Sequence, residues 1–177
     1  MNRSIDAPLF MAALLLSTVA FAGDPGDGAR FEPASARTLQ DTADIQHVMD
    51  AFHRAVVTHD GSRLAALFIP EGSTWFNVLS DDAYARAKAK SPGVSKTRLG
   101  SYKDFAEFVS NSKASLEPRH SHVRIQSDGT IASVYFNFVF LISGTEENRG
   151  SETWQLVKGA EGWRIAAITY SSDPRGP

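Results

Sequence analysis

The 177-residue chain contains no cysteine. That absence excludes a disulfide scaffold, a thiol nucleophile, a thiolate zinc site and a lipidated N-terminal cysteine. Basic charge is not in excess either, with 18 Lys+Arg against 20 Asp+Glu and a formal charge of −2. Phosphate backbones are bound by concentrated positive surface, so nucleic acid is not expected as the main partner. Charged residues make up only 21% of the chain and hydrophobic residues 42%. This excludes a chain too polar to fold, and the length suffices to bury a core without staples.

Long apolar runs are missing beyond the N-terminus. Residues 1–22 (MNRSIDAPLFMAALLLSTVAFA) carry Arg3 at the start, an apolar stretch from Ala7, and Ala20-Phe21-Ala22 at the end. A weakly positive start, a short apolar run and a small-x-small site form an export signal. The run falls short of the roughly 20 residues that a spanning helix needs; the alternative reading is an uncleaved anchor. The expectation is an exported protein, periplasmic or secreted, with no membrane association after signal cleavage. Residues 23–40 are rich in Gly, Pro, Ala and Asp without an apolar period. They read as a flexible tether, followed by a folded domain over 41–172 and a tail over 173–177.

Within the domain, Ile45, Val48, Met49, Phe52 and Val56 follow helical spacing over residues 41–58, with Asp41 as the expected cap. Asp60-Gly61-Ser62 breaks the chain and starts a short helix over 63–68, stopped by Pro70. Residues 73–79 (STWFNVL) suit a strand. Residues 80–99 read as a mobile excursion with a helical piece around 83–90; carrying Tyr84, it is a candidate lid. Ser101 opens a further helix expected to bury Phe105, Phe108 and Val109. Strands follow over 119–126, 130–142, 152–158 and 163–171, the first two joined by the turn Ser127-Asp128-Gly129-Thr130. Helices first and a strand meander afterwards predict an α+β domain with an antiparallel, strongly curved sheet.

Four segments carry a resemblance: His59-Asp60-Gly61-Ser62-Arg63-Leu64-Ala65-Ala66-Leu67-Phe68, Gly72-Ser73-Thr74-Trp75, Asp128-Gly129-Thr130-Ile131-Ala132 and Gly162-Trp163-Arg164-Ile165. With this element order, the chain resembles the nuclear transport factor 2-like superfamily over residues 41–172. Within it, the chain looks most like secreted bacterial SnoaL-like members. The resemblance implies a cone-shaped, cystatin-like fold whose sheet wraps around N-terminal helices and leaves an apolar pocket at the open end. The expected protein partner is a second copy of the chain, in a homodimer. Function does not follow, because the superfamily mixes isomerases, dehydratases, epoxide hydrolases and cyclases with non-catalytic modules.

The residues narrow the choice. Laid on the strand where relatives resembling ketosteroid isomerase carry an Asp base, this chain places Asn77, and an amide has no accessible basic pair. The Arg-x-Asp of relatives resembling limonene epoxide hydrolase occurs nowhere. The material for a scytalone dehydratase-like reading is His120, His122, Tyr135 or Tyr170, and Glu152. Strict alternation would place His120 and His122 on one face with Arg124 and Gln126, either at the rim or in the pocket. The same His-x-His spacing lacks a recognisable third ligand, so no metal and no cofactor is expected. In residues 130–142, Ala132, Val134, Phe136, Phe138, Phe140 and Ile142 share one face, as core or pocket wall. Glu152 shares a strand face with Trp154 and Leu156, where a carboxylate needs a partner, Arg149 or Arg164, or else anchors the pocket.

The leading expectation is an exported domain that binds a small hydrophobic ligand in an aromatic pocket. Trp75, Asn77, Glu152, Trp154 and Tyr170 are its candidate residues. The first alternative is a lyase or isomerase using His120 or His122 with Glu152. The second is a dimerisation or interaction module whose sheet face bears Ser133, Tyr135, Asn137 and Val139.

Overall fold

The computed structural model describes residues 36–175, with side chains from Leu39 onward. The expected export signal and most of the expected tether lie outside the described residues. Helix α1 runs from Ala36 to Val57 and so starts earlier than the expected cap at Asp41. Asp41 lies inside the helix, almost fully buried, and accepts a hydrogen bond from Lys158 Nζ at 2.6 Å. Its apolar stripe is the expected one: Ile45, Met49, Phe52 and Val56 are buried, each such side chain contributing about 1.5–3 kcal/mol.

His59 ends this helix in the left-handed region (φ 59°) and donates from Nδ1 to the Val109 carbonyl at 3.1 Å. Asp60 then caps α2 (Gly61–Ala65), its carboxylate accepting from the Arg63 amide at 2.9 Å. Gly61 is required by the packing of α2 on helix α4 (Tyr102–Asn111): a Cβ there would lie 2.2 Å from the Ala106 carbonyl oxygen. Ser101 caps α4, but only Tyr102, Ala106 and Val109 are buried on it. Phe108, expected in the core, is 42% exposed. It stands about a third of a turn from the buried stripe.

Six strands form one sheet in the order β2-β1-β6-β5-β4-β3. They are β1 (Thr74–Leu79), β2 (Thr97–Leu99), β3 (Leu116–Ser127), β4 (Ile131–Ile142), β5 (Thr145–Gly159) and β6 (Gly162–Ser172). Four of the pairings are antiparallel, as the meander implies, whereas β1 runs parallel to β6. The Asp128 carboxylate holds the β3–β4 turn by accepting from the Thr130 and Ile131 amides, both at 2.8 Å. Residues 80–99 form an ordered return: Ser80 caps α3 (Asp81–Lys90), and β2 comes back to pair with β1.

The inner face of β4 is the expected one, with Ala132, Val134, Phe136 and Phe138 buried against α1 and the neighbouring strands. Strand β3 departs from expectation. Between Ser121 and Arg124 the register slips, so two residues face one on β4, and His122 takes φ 55°. This bulge turns the strand over. Leu116, Pro118 and His120 face inward before it, and Ile125 does so after it. His120 and His122 therefore do not share a face. Strand β5 begins at Thr145, seven residues before the expected start, because the polar run Thr-Glu-Glu-Asn-Arg-Gly is held by pairing with β4 rather than by its own strand preference. Among the described residues, no helix is long and apolar enough to cross a membrane.

Candidate functional site

Between α1, α4 and the inner face of the sheet lies a cavity of about 360 Å³. Its wall is assembled from residues distant in sequence. Helix α1 supplies Phe52, β1 supplies Trp75, the turn into α4 supplies Gly100 and Ser101, and α4 itself supplies Asp104 and Phe105. Strand β3 adds Pro118 and His120, β4 adds Phe138 and Phe140, β5 adds Asn148 and Glu152, and β6 adds Tyr170. The volume falls in the lower part of the range of about 300–1,000 Å³ found for small-molecule sites.

The aromatic rings form a continuous belt. Phe138 meets Tyr170 edge-on with centroids 5.8 Å apart, and Tyr170 meets Trp75 edge-on at 6.2 Å. Trp75 touches Phe105 at 5.4 Å, and Phe105 reaches Phe140 at 6.2 Å and Phe52 at 6.0 Å. Gly100 allows the chain to pass close over Trp75, since a Cβ there would meet the indole Cδ1 at 2.9 Å. Its amide also donates to the Trp75 carbonyl at 2.8 Å.

Polar groups are few. Glu152 accepts a hydrogen bond from the Trp154 indole Nε1 at 2.5 Å. Neither arginine proposed for it is its partner: Arg149 pairs with Glu146, and Arg164 with Glu161. Loss of water raises the Glu152 carboxyl from 4.5 to about 7, a shift only partly offset by the indole N–H. Burial acts oppositely on His120 and lowers it from 6.5 to about 4, with nearby His53 adding to the effect. At neutral pH the imidazole is therefore uncharged and the carboxyl is divided between its two forms. His53 is itself held by donating from Nδ1 to the Pro118 carbonyl at 2.9 Å.

The residues singled out in the sequence divide into three sets. Trp75, His120, Glu152 and Tyr170 line the cavity. Asn77 and Trp154 stand one layer behind it. Asn77 Nδ2 donates to the Tyr170 hydroxyl at 3.0 Å, and Trp154 is fully buried beneath Glu152. His122 is exposed on the far side of the sheet beside Ser121 and Asn137. The candidate lid over 80–99 supplies no lining residue; Gly100 and α4 border the cavity instead. Ser101, Asp104 and Asn148 are the polar lining residues that sequence reasoning missed. Ser101 and Asp104 read in sequence only as the start of a helix, and Ser101 Oγ does cap it by accepting from the Lys103 amide. No sequence signal marks Asn148, which precedes the expected start of its strand. Among the described residues, no cluster of three or more metal-ligating side chains forms.

No protein-family model matches the chain, and no curated protein matches it. Solved structures do. A nuclear transport factor 2-like protein of unknown function from Shewanella baltica is similar at a TM-score of 0.55 and 19% identity, over 77% of this chain and 97% of that one. A nuclear transport factor 2-like protein with a cystatin-like fold from Novosphingobium aromaticivorans matches at 0.55 and 15%, over 76% and 83%. A candidate scytalone dehydratase from the same species matches at 0.59 and 17%, over 77% and 87%. At these identities the likeness speaks for architecture alone. The chain has the α+β, cystatin-like fold of nuclear transport factor 2-like proteins.

Proposed function

We propose that this is an exported small-molecule-binding domain whose ligand occupies the aromatic cavity. The observation that carries the reading is the cavity itself: six aromatic rings around about 360 Å³, with Glu152 inside. An apolar site of this size with a few convergent polar groups is the usual form of a ligand pocket. Trp75 and Tyr170 would supply contact area, Trp154 and Asn77 would hold the polar groups in place, and Glu152 would fix the ligand's orientation. Native mass spectrometry of the exported, mildly purified protein tests this, followed by denaturation to release what is bound. The expected result is an adduct of one small molecule per chain that is absent from W75A. Retention of the same adduct by W75A would remove the cavity as its site.

A second reading is favoured by one observation. His120, Glu152 and Tyr170 line one cavity, and Glu152 titrates near neutrality, where a general acid or base works best. A lyase or isomerase would use Glu152 to move the proton, Tyr170 to donate to a carbonyl, and neutral His120 to accept a hydrogen bond. Exchange of the α-protons of cyclohexanone in deuterated buffer measures such activity by NMR. Catalysed exchange that disappears in E152Q supports an enzyme; exchange at the buffer rate supports the binding domain.

A further inference from the structure

The cavity's charge is as one-sided as its surface is aromatic. Two carboxyl groups line it, Glu152 inside and Asp104 in the first turn of α4, and among the described residues no lysine or arginine does. The other titratable groups facing Glu152 are Tyr170 on β6 and His120 on β3, with His53 of α1 behind His120. Strands β1 and β4 present only Trp75, Phe138 and Phe140 to this space. Aromatic faces carry negative quadrupole charge and attract organic cations, most strongly where water is excluded. An anion would meet two carboxyl groups and no countercharge.

We propose that the cavity selects an organic cation: an amine or quaternary ammonium group on a compact hydrophobic body. The belt of Trp75, Phe105, Phe138, Phe140 and Tyr170 surrounds the cation, and Glu152 is its counterion. This inference rests on the reading of the cavity as a ligand site and adds the charge of the ligand to it. In the free protein Glu152 has no cationic neighbour among the described residues and is held near 7 by burial. A bound cation supplies the missing partner and favours the ionised carboxylate. Binding therefore releases a proton and tightens as pH rises through neutrality.

Isothermal titration calorimetry on the whole chain tests this with three probes that share a phenyl ring: benzyltrimethylammonium, benzyl alcohol and benzoate. At pH 8 the fixed cation is expected to bind at least tenfold more tightly than the alcohol, and benzoate not at all. Between pH 8 and pH 5.5 the cation's affinity should fall about tenfold, while the alcohol's stays constant. E152Q should reduce the cation preference severalfold and abolish its pH dependence, with an unchanged circular dichroism spectrum showing that the variant is folded. D104N should weaken the cation severalfold without moving the pH midpoint. Equal or tighter binding of benzyl alcohol or benzoate, or a cation affinity indifferent to pH and to E152Q, overturns the cation inference alone. Failure of all three probes to bind overturns it together with the ligand-site reading.

Discussion

At the residue scale, the account turns on two groups that burial pushes in opposite directions. Glu152 binds its proton more tightly folded (about 7) than unfolded (4.5), so on its own it costs stability as pH rises between those values. His120 binds its proton more weakly folded (about 4) than unfolded (6.5), so on its own it costs stability as pH falls through that window. Between pH 4.5 and 6.5 the two slopes cancel. E152Q should unmask a stability that rises with pH by about 1.4 kcal/mol per unit, and H120Q the reverse slope. Urea unfolding across this range measures both, and parallel curves for the two variants would contradict the assignments. W154F removes the indole donor that lowers Glu152. It should move the carboxyl titration above its wild-type midpoint in carbon-detected NMR, and an unchanged midpoint would remove Trp154 from its positioning role. The polar strain at Glu152 was legible in sequence, because a carboxylate on the face of Trp154 and Leu156 needs an explanation. Its partner was not legible: the arginines nearby in sequence pair elsewhere, and an indole on the same strand supplies the hydrogen bond.

At the scale of elements, turns and periodicities were readable wherever local chemistry decides. The helical stripe of α1, the Asp60 cap, the Asp128 turn and the inner face of β4 all follow from spacing and capping. Misreadings came where pairing overrides local preference. The first half of β5 is too polar to announce a strand, and the β3 bulge has no glycine to mark it. That bulge separates His120, in the cavity wall, from His122, outside. With φ 55° at His122, a β-branched side chain suffers most: H122V should cost about 1–2 kcal/mol, whereas H122G stays within about 0.5 kcal/mol of wild type. Equal stability of the two would mean the strand relaxes to regular pairing. Gly61 and Gly93 make a second contrast. A methyl group at Gly61 runs into the Ala106 carbonyl of α4, while one at Gly93 meets nothing within 4 Å. G61A should therefore lose about 1–3 kcal/mol in thermal or urea unfolding, and G93A should be close to neutral.

At the scale of the whole molecule, the architecture was legible because the order of elements, helices before a meander, leaves few ways to cover the sheet. The contents of the site were less so. Its wall draws on all four β-strands from β3 to β6 together with β1, α1 and α4, and only folding brings Phe52, Asp104, Asn148 and Glu152 together. The outer face is a separate matter. Tyr135 is 43% exposed there, beside Asn137 and Val139, and it is where the expected homodimer would meet. Sedimentation of Y135R should then report a monomer against a wild-type dimer; a wild-type monomer would remove this expectation and leave the cavity untouched. The chain's three tryptophans allow the central claim to be tested directly. Trp75 lines the cavity, Trp154 lies beneath Glu152, and Trp163 does not line it and has Lys158 Nζ 5.6 Å from its ring. Following the three indole N–H resonances while a compact aromatic alcohol or amine is added should move Trp75 and Trp154 and leave Trp163 in place. Uniform movement of all three, or no movement at saturating probe, would contradict a ligand site in this cavity.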